Sequence, residues 1–350
     1  MDLSIRNEEL EVVLHDPREG AFSERFDSMF AAKQVVLRNE HGKHEFCEPE
    51  QVRPGRRTCN GVGLCGEFVW DGLGAEAKKG ERFVKPGVGL LTQIEDNKPY
   101  DMWSRYDVAP FATKIALHEP GKIVFTQGAD ANADANADAN ADANADANAD
   151  ANADTNADAC VNANAGACAG VSMKIIREAA LWKNTLTLYT FVENTGSKPI
   201  DMAEYQHNFV SLDHIPIGRG YCLEVPFNLA APEIGGCSFE QGGERPAPGL
   251  LRADDCGTKG EGCAIRWEKG MEGKFMSQVV GPDRIDDRGC YAWSLSHEGT
   301  PAKMREVAYF RPSLLRMWCI EHCVSVELFC AIRLAPGEKM SFARTWAFCA

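Results

Sequence analysis

A chain of 350 residues, 44% hydrophobic and 25% charged, has the ordinary composition of a globular protein with a sizeable core. It has no run of about 18 apolar residues and no long basic cluster, which argues against a membrane-spanning helix and against a nucleic-acid partner. The formal charge of −14 is largely local: eight Asp, from Asp130 to Asp158 in steps of four, fall in a stretch without Lys or Arg, and setting them aside leaves −6.

The start, MDLSIRNEELEVV, carries acids at Asp2, Glu8, Glu9 and Glu11 where a secretory signal would carry a basic region and an apolar stretch. A cytoplasmic protein with reduced thiols is the expectation, although the 14 Cys are many. They are scattered from Cys47 to Cys349. The run Cys319-Ile-Glu-His322-Cys323 lacks a second ligand pair at useful spacing, so no metal is expected there. Cys330 and Cys349 lie in apolar strands and read as small core residues.

In chain order, β-type runs are expected at 34–38, 90–94, 113–118 and 122–126, the last two joined by the hairpin signal Glu119-Pro120-Gly121. From 129 to 170 follows an Ala/Asp/Asn repeat. It could bury little beyond methyl groups, and Asp and Asn are poor strand formers, so it reads as an insertion outside the core. A weak Ca²⁺ role for its Asp ladder lacks the Gly-kinked loop and Glu clamp of a built site. Strands resume at 171–180 and 185–193, which places the insertion between consecutive strands of a meander. Further strands are expected at 202–213, 221–227, 278–280, 290–295, 324–334 and 341–348, with short-helix candidates at 28–32 and 312–317. Many short strands with Gly/Pro punctuation predict one all-β domain over 1–350, a sandwich or a barrel.

Two strands could carry chemistry. In AEYQHNFVSLD (203–213), alternation puts Tyr205, His207, Phe209 and Ser211 on one face and Glu204, Gln206, Asn208 and Val210 on the other. A His fixed between aromatic rings suits proton transfer, and equally suits a core His with a satisfied hydrogen bond. In VSVELFCAIRL (324–334), Glu327 is the one carboxyl in an apolar run and shares a face with Ser325 and Phe329. Burial would raise its pKa toward that of a general base; pairing with Arg333 or Arg344 would make it structural. Earlier, Arg25, Glu67 and Lys85 lie in Gly-rich surroundings, with no GK[ST] that would make a phosphate loop.

The segments RFDSM (25–29), GLCGEF (63–68), GERFVKPGVGLL (80–91), NTG (194–196), EYQHNFVSLD with IPIG (204–218) and VELFCAIRLAPGE (326–338) resemble an uncharacterised microbial branch of the galactose mutarotase-like superfamily. The likeness to aldose 1-epimerases is more remote and rests on the His207 strand and the late Glu327. It implies an antiparallel β-supersandwich whose concave face binds a small carbohydrate. His207 would donate a proton to the ring oxygen and Glu327 would take one from the anomeric hydroxyl, across a sugar-sized gap in one open pocket. Arg25, Glu67, Lys85, Tyr205 and Asn208 would contact the ligand, with no cofactor or metal. The same cleft would also suit a carbohydrate-binding protein without turnover, or a lyase with Tyr205 as proton carrier. Two departures stand out: the second His of many aldose epimerases has no match (His118 is a poor substitute), and the repeat is foreign to the pattern.

Overall fold

A computed structural model describes residues 3–50, 61–130, 170–225, 249–254, 263–280 and 291–350. Burial alternates along the chain with a period of two, as in Thr185–Asn194, where every second residue is buried. That pattern gives a strand one face for a core and another for solvent or a ligand.

The first part of the chain forms β1 (Leu3–Arg6), β2 (Leu10–Leu14), β3 (Ala31–Asn39), β4 (Gly42–Glu45), β5 (Leu64–Val69), β6 (Arg82–Lys85), β7 (Gly89–Thr92) and β8 (Val108–Pro110). Next come β9 (Thr113–Glu119), β10 (Lys122–Asp130), β11 (Ser172–Trp182), β12 (Thr185–Asn194), β13 (Ile200–Asn208) and β14 (Tyr221–Val225). The last are β15 (Leu251–Asp254), β16 (Cys263–Trp267), β17 (Lys274–Val280), β18 (Tyr291–His297), β19 (Lys303–Ala308), β20 (Leu314–Ile320), β21 (Val324–Leu334) and β22 (Lys339–Cys349). Among the described residues the helical content is one 3₁₀ turn, Pro17–Glu19, and no helix is long and apolar enough to cross a membrane.

Among the described residues nine strands form a sheet in the order β1-β2-β3-β5-β13-β21-β20-β17, with β4 paired to β3. Ten form a second, β15-β16-β14-β18-β19-β22-β12-β11-β10-β9, and β6-β7-β8 form a small third. The large sheets share one apolar core, to which the first contributes Phe68 and Leu328 and the second Leu188 and Trp346. The fold is an antiparallel all-β sandwich, one of the two forms that the punctuation left open and the one that the resemblance implies.

Several boundaries differ from expectation. Neither short helix forms. Ser28 and Met29 lie in a bend before β3, and 314–317 belong to β20, whose alternating burial fits a strand paired to β21 on one side and β17 on the other. The strand expected over 202–213 ends at Asn208, and Val210 continues the path by isolated bridges to Cys47 and Val324. The insertion starts later than its composition suggests. Ala129 is fully buried and pairs with Met173, Asp130 pairs with Ser172, and the Gly170 carbonyl accepts from Ser197 and Lys198, so these residues belong to the fold. Cys330 is buried, but Cys349 is exposed, because it falls on the outward phase of β22. Residues 131–169, and with them any Ca²⁺ role of the repeat, lie outside the described residues, as do 226–227 and Cys290 at two predicted strand ends.

Candidate functional site

The site grows from β13, which lies between β5 and β21. Antiparallel register sets Tyr205 opposite Glu67 and His207 opposite Cys65. On the other side the ladder runs to Glu204 opposite Cys330 and resumes at Val210 opposite Val324. In between, Glu327 comes beside His207, with Nε2 and Oε1 3.3 Å apart. The next strand sets Arg316 opposite Glu327 and Trp318 opposite Ser325. Paired residues share a face, so one face of the nine-stranded sheet gathers Glu67, Tyr205, His207, Glu327, Arg316 and Trp318.

Aromatic rings enclose the imidazole. Phe209 stacks on it with centroids 3.9 Å apart, Phe26 meets it edge-on at 5.7 Å and Trp318 edge-on at 5.1 Å. His207 is 3% exposed and Glu327 4%. Burial, reinforced by the Arg25 charge, holds the imidazole pKa well below the usual 6.5. Burial raises the Glu327 carboxyl from 4.5 to about 7, against the pull of Arg25, Arg316 and the Ser325 hydroxyl, which donates at 3.1 Å. Near neutrality the pair therefore favours its proton on the carboxyl, with a neutral imidazole beside it. Neither the separating gap nor the open pocket expected from the sequence is there: the two groups touch and are almost fully buried, and half-buried Phe22, Trp318 and Arg316 stand nearer the solvent.

Four other sequence-named residues meet in one cluster beside the pair. Arg25 Nε donates to Glu67 Oε2 at 2.6 Å and Arg25 Nη2 to the Tyr205 hydroxyl at 2.7 Å. That hydroxyl donates to Glu67 in turn. Lys85 Nζ donates to Glu67 Oε1 at 2.9 Å and to the Phe68 carbonyl at 2.7 Å, and lies over the Tyr100 ring. Burial alone would raise the Glu67 pKa, but Arg25, Lys85 and Tyr205 overcome it and hold the carboxyl down at about 2. The Tyr205 ring stacks on Phe329 at 4.4 Å, and the Arg316 guanidinium lies over the Phe329 ring, 5.1 Å from its centroid.

Asn208 does not join them. Alternation turns it to the opposite face, where its Nδ2 donates to Glu306 Oε2 and to the Val326 carbonyl. That face looks into the space between the sheets, across a buried ion network. Arg177 joins Asp27 and Glu204, and Arg344 joins Glu204 and Glu306. Arg344 is thus occupied there, and Arg333 pairs with Asp201, so neither neutralises Glu327. Reasoning from the sequence missed Trp318, Arg316 and Phe26. Arg316 lies in the segment 312–317 read as helix-forming and Trp318 just after it, where a strand phase would have put both on the Glu327 face. Phe26 stood next to Arg25 without periodicity to give it a direction.

Among the described residues no three His, Cys, Asp or Glu side chains are set to hold a metal. Cys319 and Cys323 are buried, while His322 Nε2 lies 2.8 Å from the Pro49 carbonyl. His118 is engaged at the surface with the Ser4 carbonyl. A groove of about 310 Å³ lined by Trp70, Asp71, Glu76, Met173 and Asp201 contains none of the seven sequence-named residues.

Solved structures show which architecture this is. A galactose mutarotase-like protein from Lactobacillus casei matches over 99% of this chain and 100% of its own, at TM-score 0.53 and 13% identity. The chain has the galactose mutarotase-like fold. A GalM/aldose epimerase homologue from C. elegans matches over 99% of this chain and 98% of its own, at TM-score 0.52 and 10% identity. At such identities the galactose mutarotase-like likeness is one of fold alone. In sequence, residues 121–201 match the protein family described as the PF3D7_1223600 middle domain, a span from β10 to the start of β13 that includes the insertion. No curated protein matches the chain in sequence.

Proposed function

We propose that this protein is a carbohydrate isomerase of the aldose 1-epimerase type, with His207 and Glu327 as its acid–base pair. The observation that carries this reading is the 3.3 Å contact between the two groups on one face of the nine-stranded sheet. The anomeric oxygen and the ring oxygen of a cyclic sugar sit on one carbon, closer together than these two protein atoms. A sugar admitted by displacement of the half-buried Trp318 ring would therefore meet both groups at once, and no separating gap is needed. With the single proton on His207, Glu327 takes the proton of the anomeric hydroxyl. The C1–O5 electron pair moves to the ring oxygen, His207 protonates it, and C1 becomes an aldehyde carbonyl. Rotation about the C1–C2 bond and the reverse transfers close the ring with the other configuration. The proton begins on Glu327, and the direct contact lets it cross to His207. Arg25, Glu67, Lys85 and Tyr205 form the polar wall beside the pair, and we assign them to the sugar hydroxyls. Asn208, on the far face, supports β13 rather than the ligand.

The close packing of His207 favours a second reading, a carbohydrate-binding protein without turnover. Saturation-transfer NMR on a panel of aldoses separates the two. Catalysed anomer exchange that falls by about 100-fold or more in His207→Gln and in Glu327→Gln supports the isomerase, given the usual share of a positioned acid or base. Binding by calorimetry without exchange supports the second reading. Exchange that survives both substitutions removes the pair from the mechanism.

A further inference from the structure

Two cationic groups of the site, Arg25 and Lys85, come from segments that need an outside hold. Arg25 lies in a bend in which the Ser23 hydroxyl accepts the N–H groups of Arg25 and Phe26. Two residues on, the chain passes to the inner side of the sheet. There the Asp27 N–H donates to the Gly66 carbonyl at 2.8 Å, and its carboxylate accepts from the Met29 N–H and from Arg177 Nε at 2.9 Å. Asp27 and Arg177 are both fully buried. Lys85 ends β6, and the turn after it reaches Gly87, whose carbonyl accepts from the Ser28 N–H at 2.9 Å. Gly87 has φ +80 and lies so close to Asp27 that a Cβ would stand 2.8 Å from its carboxylate. Its N–H donates to Gln127 Oε1 at 3.1 Å, and Gln127 is itself anchored by donating to the Thr113 hydroxyl. Arg177 is likewise anchored, donating to Thr190 Oγ1 at 2.7 Å and to Glu204.

Both anchors sit on one hairpin: Gln127 on β10 and Arg177 on β11, the strands on either side of the insertion. We propose that Arg177 and Gln127 are positioning residues. Through Asp27 and Gly87 they hold Phe26 against His207, and Arg25 and Lys85 on Glu67, so that the insertion-bearing hairpin sets how well the site binds. Neither residue touches the pair. The inference rests on the reading of His207 and Glu327 as the site, but its primary test does not require turnover.

That test follows the His207 ring in full-length protein by carbon-13 NMR of the histidine Cε1, with the signal assigned by its loss in His207→Gln. Asp27→Asn breaks the ion pair and keeps the shape. It is expected to move the His207 signal and leave those of His214 and His297 in place, because the Phe26 edge shifts over the imidazole. Arg177→Lys keeps the charge but not the forked geometry and serves where Asp27→Asn does not fold. Gln127→Leu should act in the same direction through Lys85. A folded Asp27→Asn or Arg177→Lys protein whose His207 signal matches wild type overturns the proposal, as does a shift spread equally over all three histidines. With D-galactose as the probe, the same variants should raise KM by about tenfold, the size of one charge-assisted hydrogen bond, and change kcat less. A wild-type protein with no exchange on any aldose would sink the isomerase reading, while the NMR result would still decide whether the hairpin positions the site.

Discussion

At the level of single residues, the site depends on a carboxyl that the fold keeps partly protonated. Burial lifts Glu327 from 4.5 to about 7, so the folded chain binds a proton at pH values where the unfolded chain releases it. The sign follows directly. The raised pKa contributes stability in full below about 4.5 and loses it as pH rises toward 7, with a swing on the order of 3 kcal/mol. Glu67 runs the other way. Held at about 2, it stabilises at all pH values above 4.5 and loses that contribution in strong acid. Urea denaturation of wild type and Glu327→Gln from pH 4.5 to 8 tests the first statement. The variant should match wild type near pH 4.5 and become the more stable protein by pH 8, and parallel curves would contradict the assignment. The composition of VSVELFCAIRL made this legible, since a lone carboxyl in an apolar strand has few outcomes. That it comes near His207 was expected only from the family resemblance, and their direct contact was not legible at all, because nothing local states that 207 and 327 lie on neighbouring strands.

At the level of elements, β13 does two jobs because its side chains alternate. Tyr205 and His207 face the site, while Glu204, Gln206 and Asn208 face the second sheet, and sequence alternation assigned both sets correctly. What alternation could not assign was the partners of the inner set. Arg344 donates to Glu204 Oε2 at 2.5 Å and to Glu306 Oε1 at 2.8 Å; Arg344 lies 140 residues from Glu204 in sequence and Glu306 lies 98 from Asn208. Their strands are adjacent or facing only after the sheets form, so the network is a product of topology rather than of pattern. Its energetics are lopsided. Two Arg compensate three carboxylates in a space closed to water, and removing one Arg leaves charge without a partner. Arg344→Met should therefore lower unfolding free energy by about 3–5 kcal/mol. Adding Glu306→Gln should recover part of that loss, because it removes one of the stranded charges. A single variant within about 0.5 kcal/mol of wild type in urea would show that the network is dispensable.

At the level of the whole molecule, punctuation by Gly and Pro foretold the all-β architecture, and the meander β9-β10-β11-β12 foretold where the insertion enters. The edges of the insertion were misjudged by composition, since Ala129 and Asp130 look like repeat units and yet form the end of β10. That error matters for any truncation. Removal from 129 onward would strip a fully buried Ala from the core and shorten the strand that carries Gln127. Replacement of 131–169 by Asn-Gly instead keeps Asp130 opposite Ser172 and retains Gly170, whose carbonyl holds the turn before β13. Loop closure costs roughly 0.6 kcal/mol per doubling of length, so shortening this connection tenfold should add up to about 2 kcal/mol of stability. The shortened protein should keep the His207 resonance of wild type, because Arg177 and Gln127 are untouched. Thermal and urea unfolding decide the point. A clear loss of stability in this replacement, beyond the strain of the new turn, would mean that 131–169 packs on the sandwich and belongs to the domain.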